Sequence, residues 1–256
     1  MLADIRRAGV PRHIGATGLR IKGDSHATAL CFAAGGKTHR IACDTVLLHH
    51  GVVPNTQAAR SLGIAHHWDV RQACFAPQVD DWGVTSHQSI RIAGDGAGIG
   101  GAAVAEISGR LAALHIACDL GRITPAQRDA QAAPLHRRRA SELAARPFLD
   151  TAYPPSPDAL SPADATIVCR CEEVTAGDIR RFARLGCKGP NQAKAFGRAG
   201  MGPCQGRYCG LAVSALLATE NDASLDDTGY YRIRPPLKPI TLGELAAMED
   251  MADAAE

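Results

Sequence analysis

The sequence predicts an α/β chain that ends in a small, mainly helical domain. Three observations lead there: short strand signals separated by turns over residues 13–45, a strand that runs through a glycine-rich loop into a long helix over residues 90–119, and two close cysteine pairs after residue 166. With 256 residues, 46% hydrophobic and 21% charged, the chain is long enough to bury a core and has an ordinary globular composition. A net charge of +2 gives no argument for a nucleic-acid partner. Arg137, Arg138 and Arg139 stand together near Pro134 without aromatic residues between them, which reads as a solvated segment. The opening MLADIRRAGV lacks the apolar core of an export signal, and the apolar runs elsewhere are short, so a cytoplasmic chain without a membrane span is expected. Nine cysteines in that setting point to reduced thiols and a metal site rather than a disulfide framework.

Taken in order, Gly18-Leu19-Arg20-Ile21-Lys22-Gly23-Asp24 alternates before a turn, residues 28–32 return, and Gly35-Gly36 makes a hairpin into a strand over 39–42. That is a β-meander. Residues 44–48 are a compact apolar strand candidate, and residues 56–62 a short helix closed by Gly63. Residues 65–86 read as loop. Ile90-Arg91-Ile92-Ala93 is another strand, followed by Gly94-Asp95-Gly96-Ala97-Gly98-Ile99-Gly100-Gly101 and a helix over Ala102–Asp119 with Val104, Ile107, Leu111 and Leu114 at helical spacing. Glycines let a ligand approach the backbone, and a new helix presents unpaired N–H groups to a phosphate. The residues themselves leave two readings open: a plain strand-to-helix turn, or a nucleotide or flavin contact through Gly94, Asp95, Gly96, Gly98, Gly100 and Gly101.

Residues 121–165 are punctuated by seven prolines and read as a linker with helical pieces around 125–145. Beyond it, Thr175 can cap a helix over 176–185, a further helix covers 211–218, and the tail from Tyr230 is extended before a last helix over 242–251.

The cysteines carry the sharpest chemistry. Cys169-Arg170-Cys171 and Cys204-Gln205-Gly206-Arg207-Tyr208-Cys209 form two pairs with thirty-two residues between them. Two thiolates from each of two loops suit iron or zinc. Zinc sites more often use two intervening residues per pair, whereas a four-residue gap occurs in [2Fe–2S] sites, so a [2Fe–2S] cluster leads and structural zinc remains the alternative. Backbone N–H groups of the Gly200-Met201-Gly202-Pro203-Cys204-Gln205-Gly206 bend can point at sulfur, with Arg170, Arg198 and Arg207 nearby. Cys31, Cys43, Cys74, Cys118 and Cys187 stand singly and read as small core residues. No nucleophile–base–acid triad is visible, and His49, His50, His66, His67 and His87 read as structural.

VCRCEEVTAGDIRR followed by GCKGPNQAKAFGRAGMGPCQGRYCG resembles the bacterioferritin-associated-ferredoxin-like [2Fe–2S] domain. The resemblance implies that Cys169, Cys171, Cys204 and Cys209 ligate the cluster. DTVLLHHGVVPNT and TSHQSIRIAGDGAGIGGAAVAEISGRLAALHIA are similar to the pyridine nucleotide-disulfide oxidoreductase superfamily, in the group that holds the alpha subunits of opine oxidase, hydrogen cyanide synthase and dye-linked proline or hydroxyproline dehydrogenases. This implies a partial two-dinucleotide-binding flavoprotein fold over 1–120, a linker over 121–165, a cluster domain over 166–220 and a tail over 221–256. It also implies that Asp95 contacts the FAD ribityl-pyrophosphate region. No GxGxxG fingerprint occurs before Gly15, so the FAD site within this chain is expected to be incomplete, as in the carboxy-terminal half of such a subunit. The expected function is an FAD and [2Fe–2S] electron-transferring subunit of an amine or imino-acid dehydrogenase or oxidase. Its expected partners are an amino-terminal half and a substrate-oxidising flavoprotein subunit. The alternatives are a stand-alone [2Fe–2S] carrier and an NAD(P)H-dependent reductase component.

Overall fold

A computed structural model describes residues 2–248. The chain falls into two compact units, Met1–His49 and His50–Glu256.

In the first unit, helix α1 (Leu2–Arg7) precedes strands β1 (Thr17–Gly23), β2 (Ala27–Ala34) and β3 (Lys37–Ala42). These form the expected meander, an antiparallel sheet in the order β1-β2-β3. The β2–β3 turn works because Gly35 and Gly36 both take positive φ, 56° and 73°, which matches the twist of the strands they join. Ala29 and Phe32 are the buried residues of β2, and the Phe32 ring lies against His13 and His39. Residues 44–48 do not form the expected strand. Leu47 and Leu48 are 92% and 62% exposed. An apolar run becomes a strand only when a neighbour completes its hydrogen-bond ladder, and among the described residues none pairs there.

The second unit opens with α2 (Gln57–Ser61), which stops where Gly63 turns to φ 72°. Strands β4 (His66–Asp69) and β5 (Cys74–Pro77) then make an antiparallel hairpin inside the stretch read as loop. Its turn is closed by a side chain: Asp69 Oδ1 accepts from the N–H groups of Arg71 and Gln72, at 2.8 and 3.2 Å. The strand expected over 90–93 shrinks to a single bridge between Val84 and Arg91, with the Ile92 N–H donating to the Gly83 carbonyl at 2.8 Å.

Helix α3 (Ala102–Asp119) has the expected bounds and buries Val104, Ile107 and Leu111 on one face. The helical pieces expected around 125–145 join into one helix, α4 (Pro125–Leu143), packed against α3. Thr124 and Gln127 make a reciprocal capping box, and Pro125 occupies a first-turn position where its missing N–H costs little. Pro134 removes one internal hydrogen bond without ending the helix. Ala132 and Leu135 on one side of it pack on Ile107, Leu111, Leu114 and Trp82, and that burial offsets the loss. Arg139 donates to the carbonyl and carboxylate of Asp81 and ties α4 to the turn before Gly83.

Short helices α5 (Arg146–Ala152) and α6 (Pro157–Leu160) lead to the two-stranded pair β6 (Ile167–Cys169) and β7 (Val174–Thr175). Then follow α7 (Ala176–Arg184), capped by Thr175 as expected and by Asp178 in a reciprocal box, α8 (Pro190–Gly197), α9 (Gly210–Glu220), α10 (Leu225–Thr228) and α11 (Leu242–Ala246). Ile179, Phe182, Val213, Leu216 and Leu217 form the core of this mainly helical part. Tyr231 and Ile233, read as extended tail, are buried in that same core. The last helix is shorter than expected at its described end, and residues 249–251 of that expectation lie outside the described residues. Among the described residues no helix is long and apolar enough to cross a membrane.

Candidate functional site

Four of the nine cysteines come together. Cys169 ends β6, Cys171 lies in the turn towards β7, Cys204 sits in the glycine-rich bend, and Cys209 immediately precedes α9. Thiol contacts join Cys171 to Cys204 and Cys169 to Cys209, and each pair feels the charge of the other. Cys169 and Cys209 are buried, Cys204 is half-buried and Cys171 is exposed.

Glycine makes the approach possible. A Cβ on Gly202 would stand 2.2 Å from the Cβ of Cys171, closer than two side chains can come, so only glycine lets the two cysteine loops touch. A Cβ on Gly206 would land 2.5 Å from the Tyr231 ring. The bend therefore wraps around Tyr231, whose hydroxyl lies 3.9 Å from the Cys209 sulfur. Neither Tyr230 nor Tyr231 stood out as a site residue in the sequence. A tyrosine pair beside a glycine-rich bend has no local signature, because long stretches of chain can separate partners that pack together.

Backbone donors surround the sulfurs. The Gly200 N–H points at Cys169 Sγ at 3.4 Å. Burial disfavours the Cys204 thiolate, but N–H groups of Tyr208, Gly206 and Arg207 and the Cys171 thiol outweigh it and bring the Cys204 thiol below its ordinary value. The Cys204 N–H favours the Cys171 thiolate, yet crowding by the Cys204 and Cys169 sulfurs leaves the Cys171 thiol above its ordinary value. Cys209 is pushed up to about 12, chiefly by burial and then by Cys169. The arginines expected near the sulfurs are mostly committed elsewhere: Arg198 pairs with Glu172 at 2.8 Å, and Arg207 donates to the carbonyls of Cys204 and Leu237. Cys187 lies in the core with its thiol donating to the Gly189 carbonyl at 3.4 Å. Among the described residues, no three His, Cys, Asp or Glu side chains are arranged to hold a single metal ion.

The glycine loop is a second candidate. Gly94, Asp95, Gly96, Gly98, Gly100 and Gly101 all lie on one turn at the N-terminus of α3. Asp95 Oδ1 accepts from the N–H groups of Gly100 and Gly101 at 3.2 and 3.3 Å, so this carboxylate already serves its own loop. Gln72 clamps Ile99 from the side, donating to its carbonyl at 2.9 Å and accepting from its N–H at 3.1 Å. A cavity of about 370 Å³ opens beside the turn, lined among others by Gln72, Gly98, Gly100 and Arg139.

A cavity of about 260 Å³ separates α2 from the cysteine bend, walled by Pro54, Gln57, Phe75, Tyr208, Leu211 and Tyr230. Arg60 is sandwiched between the rings of Phe75 and Tyr230, 4.8 and 4.3 Å from their centroids, and burial lowers its pKa to about 10. His66 donates from Nδ1 to the Ile64 carbonyl at 2.7 Å, and burial, with Arg60 adding to it, pulls its pKa down to about 4.

Two families match separate parts of the chain. Residues 1–121 match the pyridine nucleotide-disulphide oxidoreductase family. Residues 163–249 match the sarcosine oxidase A3 domain, so both cysteine pairs fall within that match. An opine oxidase subunit of Rhizobium meliloti (strain 1021) is 48% identical over 242 residues, covering 94% of this chain and 52% of the relative. Hydrogen cyanide synthase subunit HcnB of Pseudomonas aeruginosa is 31% identical, covering 94% of this chain and 53% of the relative. The chain thus spans about half the length of the curated relatives it matches. The crystal structure of L-proline dehydrogenase from P. horikoshii superposes with a TM-score of 0.68 at 16% identity, covering 95% of this chain and 47% of that one. The mixed helix-and-strand, flavoprotein-like fold is therefore shared with that dehydrogenase.

Proposed function

We propose that this chain is an electron-transferring part of an oxidoreductase subunit that uses FAD and a [2Fe–2S] cluster to act on an amine or imino acid of the opine, proline, hydroxyproline, sarcosine or glycine type. The observation that carries the reading is the meeting of four cysteine sulfurs from two loops. A two-iron cluster distributes its cysteines over two metals, so its ligands belong further apart than those of one ion, and backbone N–H donors to sulfur favour its charge. The donor set here fits that description: Cys169, Cys171, Cys204 and Cys209 would hold the cluster, Gly200 and Gly206 would donate to sulfur, and Tyr231 would exclude water beside Cys209. When bound, such a cluster takes up and releases single electrons.

The glycine turn and the N-terminus of α3 are the part of this chain suited to the FAD ribityl-pyrophosphate. Its backbone N–H groups would orient the anion, and Gln72 would hold the turn in place. Turnover of the substrate is assigned to a partner flavoprotein subunit. The relatives named for opine and proline oxidation, and the sarcosine oxidase domain match, support substrates in which a C–N bond is oxidised.

Iron and sulfide analysis tests the reading. Anaerobically purified protein should be red-brown and hold about two irons and two labile sulfides per chain. Cys204→Ala should lose the visible absorbance and the iron. Stoichiometric zinc without sulfide in fresh protein would overturn the proposal.

A further inference from the structure

Gln57 is a buried polar group beside the cysteine bend with an atom left unused. It is 4% exposed, it lines the cavity between α2 and the cysteine bend, and among the described residues its Oε1 has no hydrogen-bond partner. Burying an amide in such a wall is unfavourable unless the amide does something there. Its Nε2 makes one distant bond, donating at 3.4 Å to the carbonyl of Gln205, a residue 148 positions away.

That carbonyl belongs to the peptide whose other end is the Gly206 N–H. In a trans peptide the C=O and N–H point in opposite directions, so fixing one fixes the other. Gly206 is among the donors to the Cys204 sulfur. The peptide needs holding: Gln205 sits at φ 52° and Gly206 at 77°, and next to a glycine such a peptide can turn over at modest cost. Turned over, it would aim a carbonyl oxygen, not an N–H, at the sulfur. The following peptide is held from the same side, because the Tyr230 hydroxyl donates to the Gly206 carbonyl at 3.1 Å.

We infer that Gln57 is a positioning residue for the cysteine site: by holding the Gln205 carbonyl outward, it keeps the Gly206 N–H on Cys204 and so raises the reduction potential of the cluster bound there. This rests on the cluster reading above. N–H donors stabilise the more negative, reduced state, so losing one lowers the potential.

The test uses the full chain with its cluster and three variants: Gln57→Met, which keeps bulk and loses the donor; Gln57→His, whose Nε2 can donate at similar reach; and Gln57→Leu, read in place of Gln57→Met if that variant does not fold. Iron and sulfide are counted first, then the midpoint potential and visible circular dichroism are measured. The expected result is full iron in Gln57→Met with a lower potential and changed dichroism, both moved back towards wild type in Gln57→His. Iron lost from folded Gln57→Met but held by Gln57→His supports the inference equally. A potential and dichroism unchanged in Gln57→Met, or lowered alike in both variants, would overturn it. Absence of iron from the wild-type chain would instead bring down the cluster reading itself.

Discussion

Two glycine-rich bends in this chain run into helices, and they use their backbone donors differently. At residues 94–101 the turn before α3 offers its N–H groups to its own Asp95 carboxylate, at 3.2 and 3.3 Å. At residues 200–209 the bend before α9 offers them to cysteine sulfur, from Gly200 to Cys169 and from Gly206, Arg207 and Tyr208 to Cys204. The local grammar is the same: glycine for close approach, free donors at a helix start. What differs is the backing. The first turn rests on Gln72 and on α3, where a Cβ on Gly100 would meet Val104 at 2.6 Å. The second wraps around Tyr231 from a distant part of the chain. The first bend satisfies its donors within its own loop, whereas the second turns them on the sulfurs of Cys169, Cys171 and Cys204.

Four substitutions follow, three of them in the two bends. The largest effect is expected at Gly202, because the added methyl of Gly202→Ala collides with Cys171 and neither backbone can easily yield. The fold should be destabilised by about 1–3 kcal/mol, the range for an overpacked site, and under the proposed cluster assignment the iron should be lost as well. In the other bend, Gly98→Ala meets no neighbour but must take φ 145°, so only backbone strain of about 1 kcal/mol is expected. Urea unfolding and iron content of the two variants decide this; equal effects would mean that the approach of the cysteine loops is not what Gly202 provides.

Next is Asp95. Asp95→Ala leaves the Gly100 and Gly101 donors unpaired and should cost about 0.5–2 kcal/mol, as for loss of a helix cap. If the turn also binds FAD, calorimetric titration should show weaker binding in this variant, with a partner half supplied. A carrier that uses only its cluster would lose the stability and show no flavin binding to lose.

The smallest effect concerns acid. His66 titrates near 4 in the folded chain against an ordinary value of 6.5, because burial disfavours its cation. Unfolded chains therefore bind this proton more readily than folded ones. Stability from the neutral ring is complete above 6.5 and is lost as pH falls towards about 4. His66→Gln should flatten the pH dependence of unfolding in that window; an unchanged slope would assign it to other groups.

Some of the architecture is legible in the sequence. Thr175 caps the helix after it as expected, and the helix begun at Ala102 ends at Asp119 where its periodicity stops. The Asp69 turn is not legible, because an aspartate closing a short hairpin looks like loop composition. The helical pieces around 125–145 are legible, but their joining into one helix is not, because Pro134 is locally a breaker and only packing on α3 reverses its effect.

By itself the sequence determined what acts within a few residues: caps, the Gly35-Gly36 hairpin, the spacing inside each cysteine pair and the glycine bend that lets the pairs approach. Tertiary structure alone decided that Tyr231 fills that bend, that Gln57 reaches Gln205 across 148 positions, and that the apolar run at 44–48 lacks a ladder. The reason is physical. A cap or a turn is satisfied by its immediate neighbours, whereas a buried side chain or a strand edge is satisfied by whatever the fold brings against it.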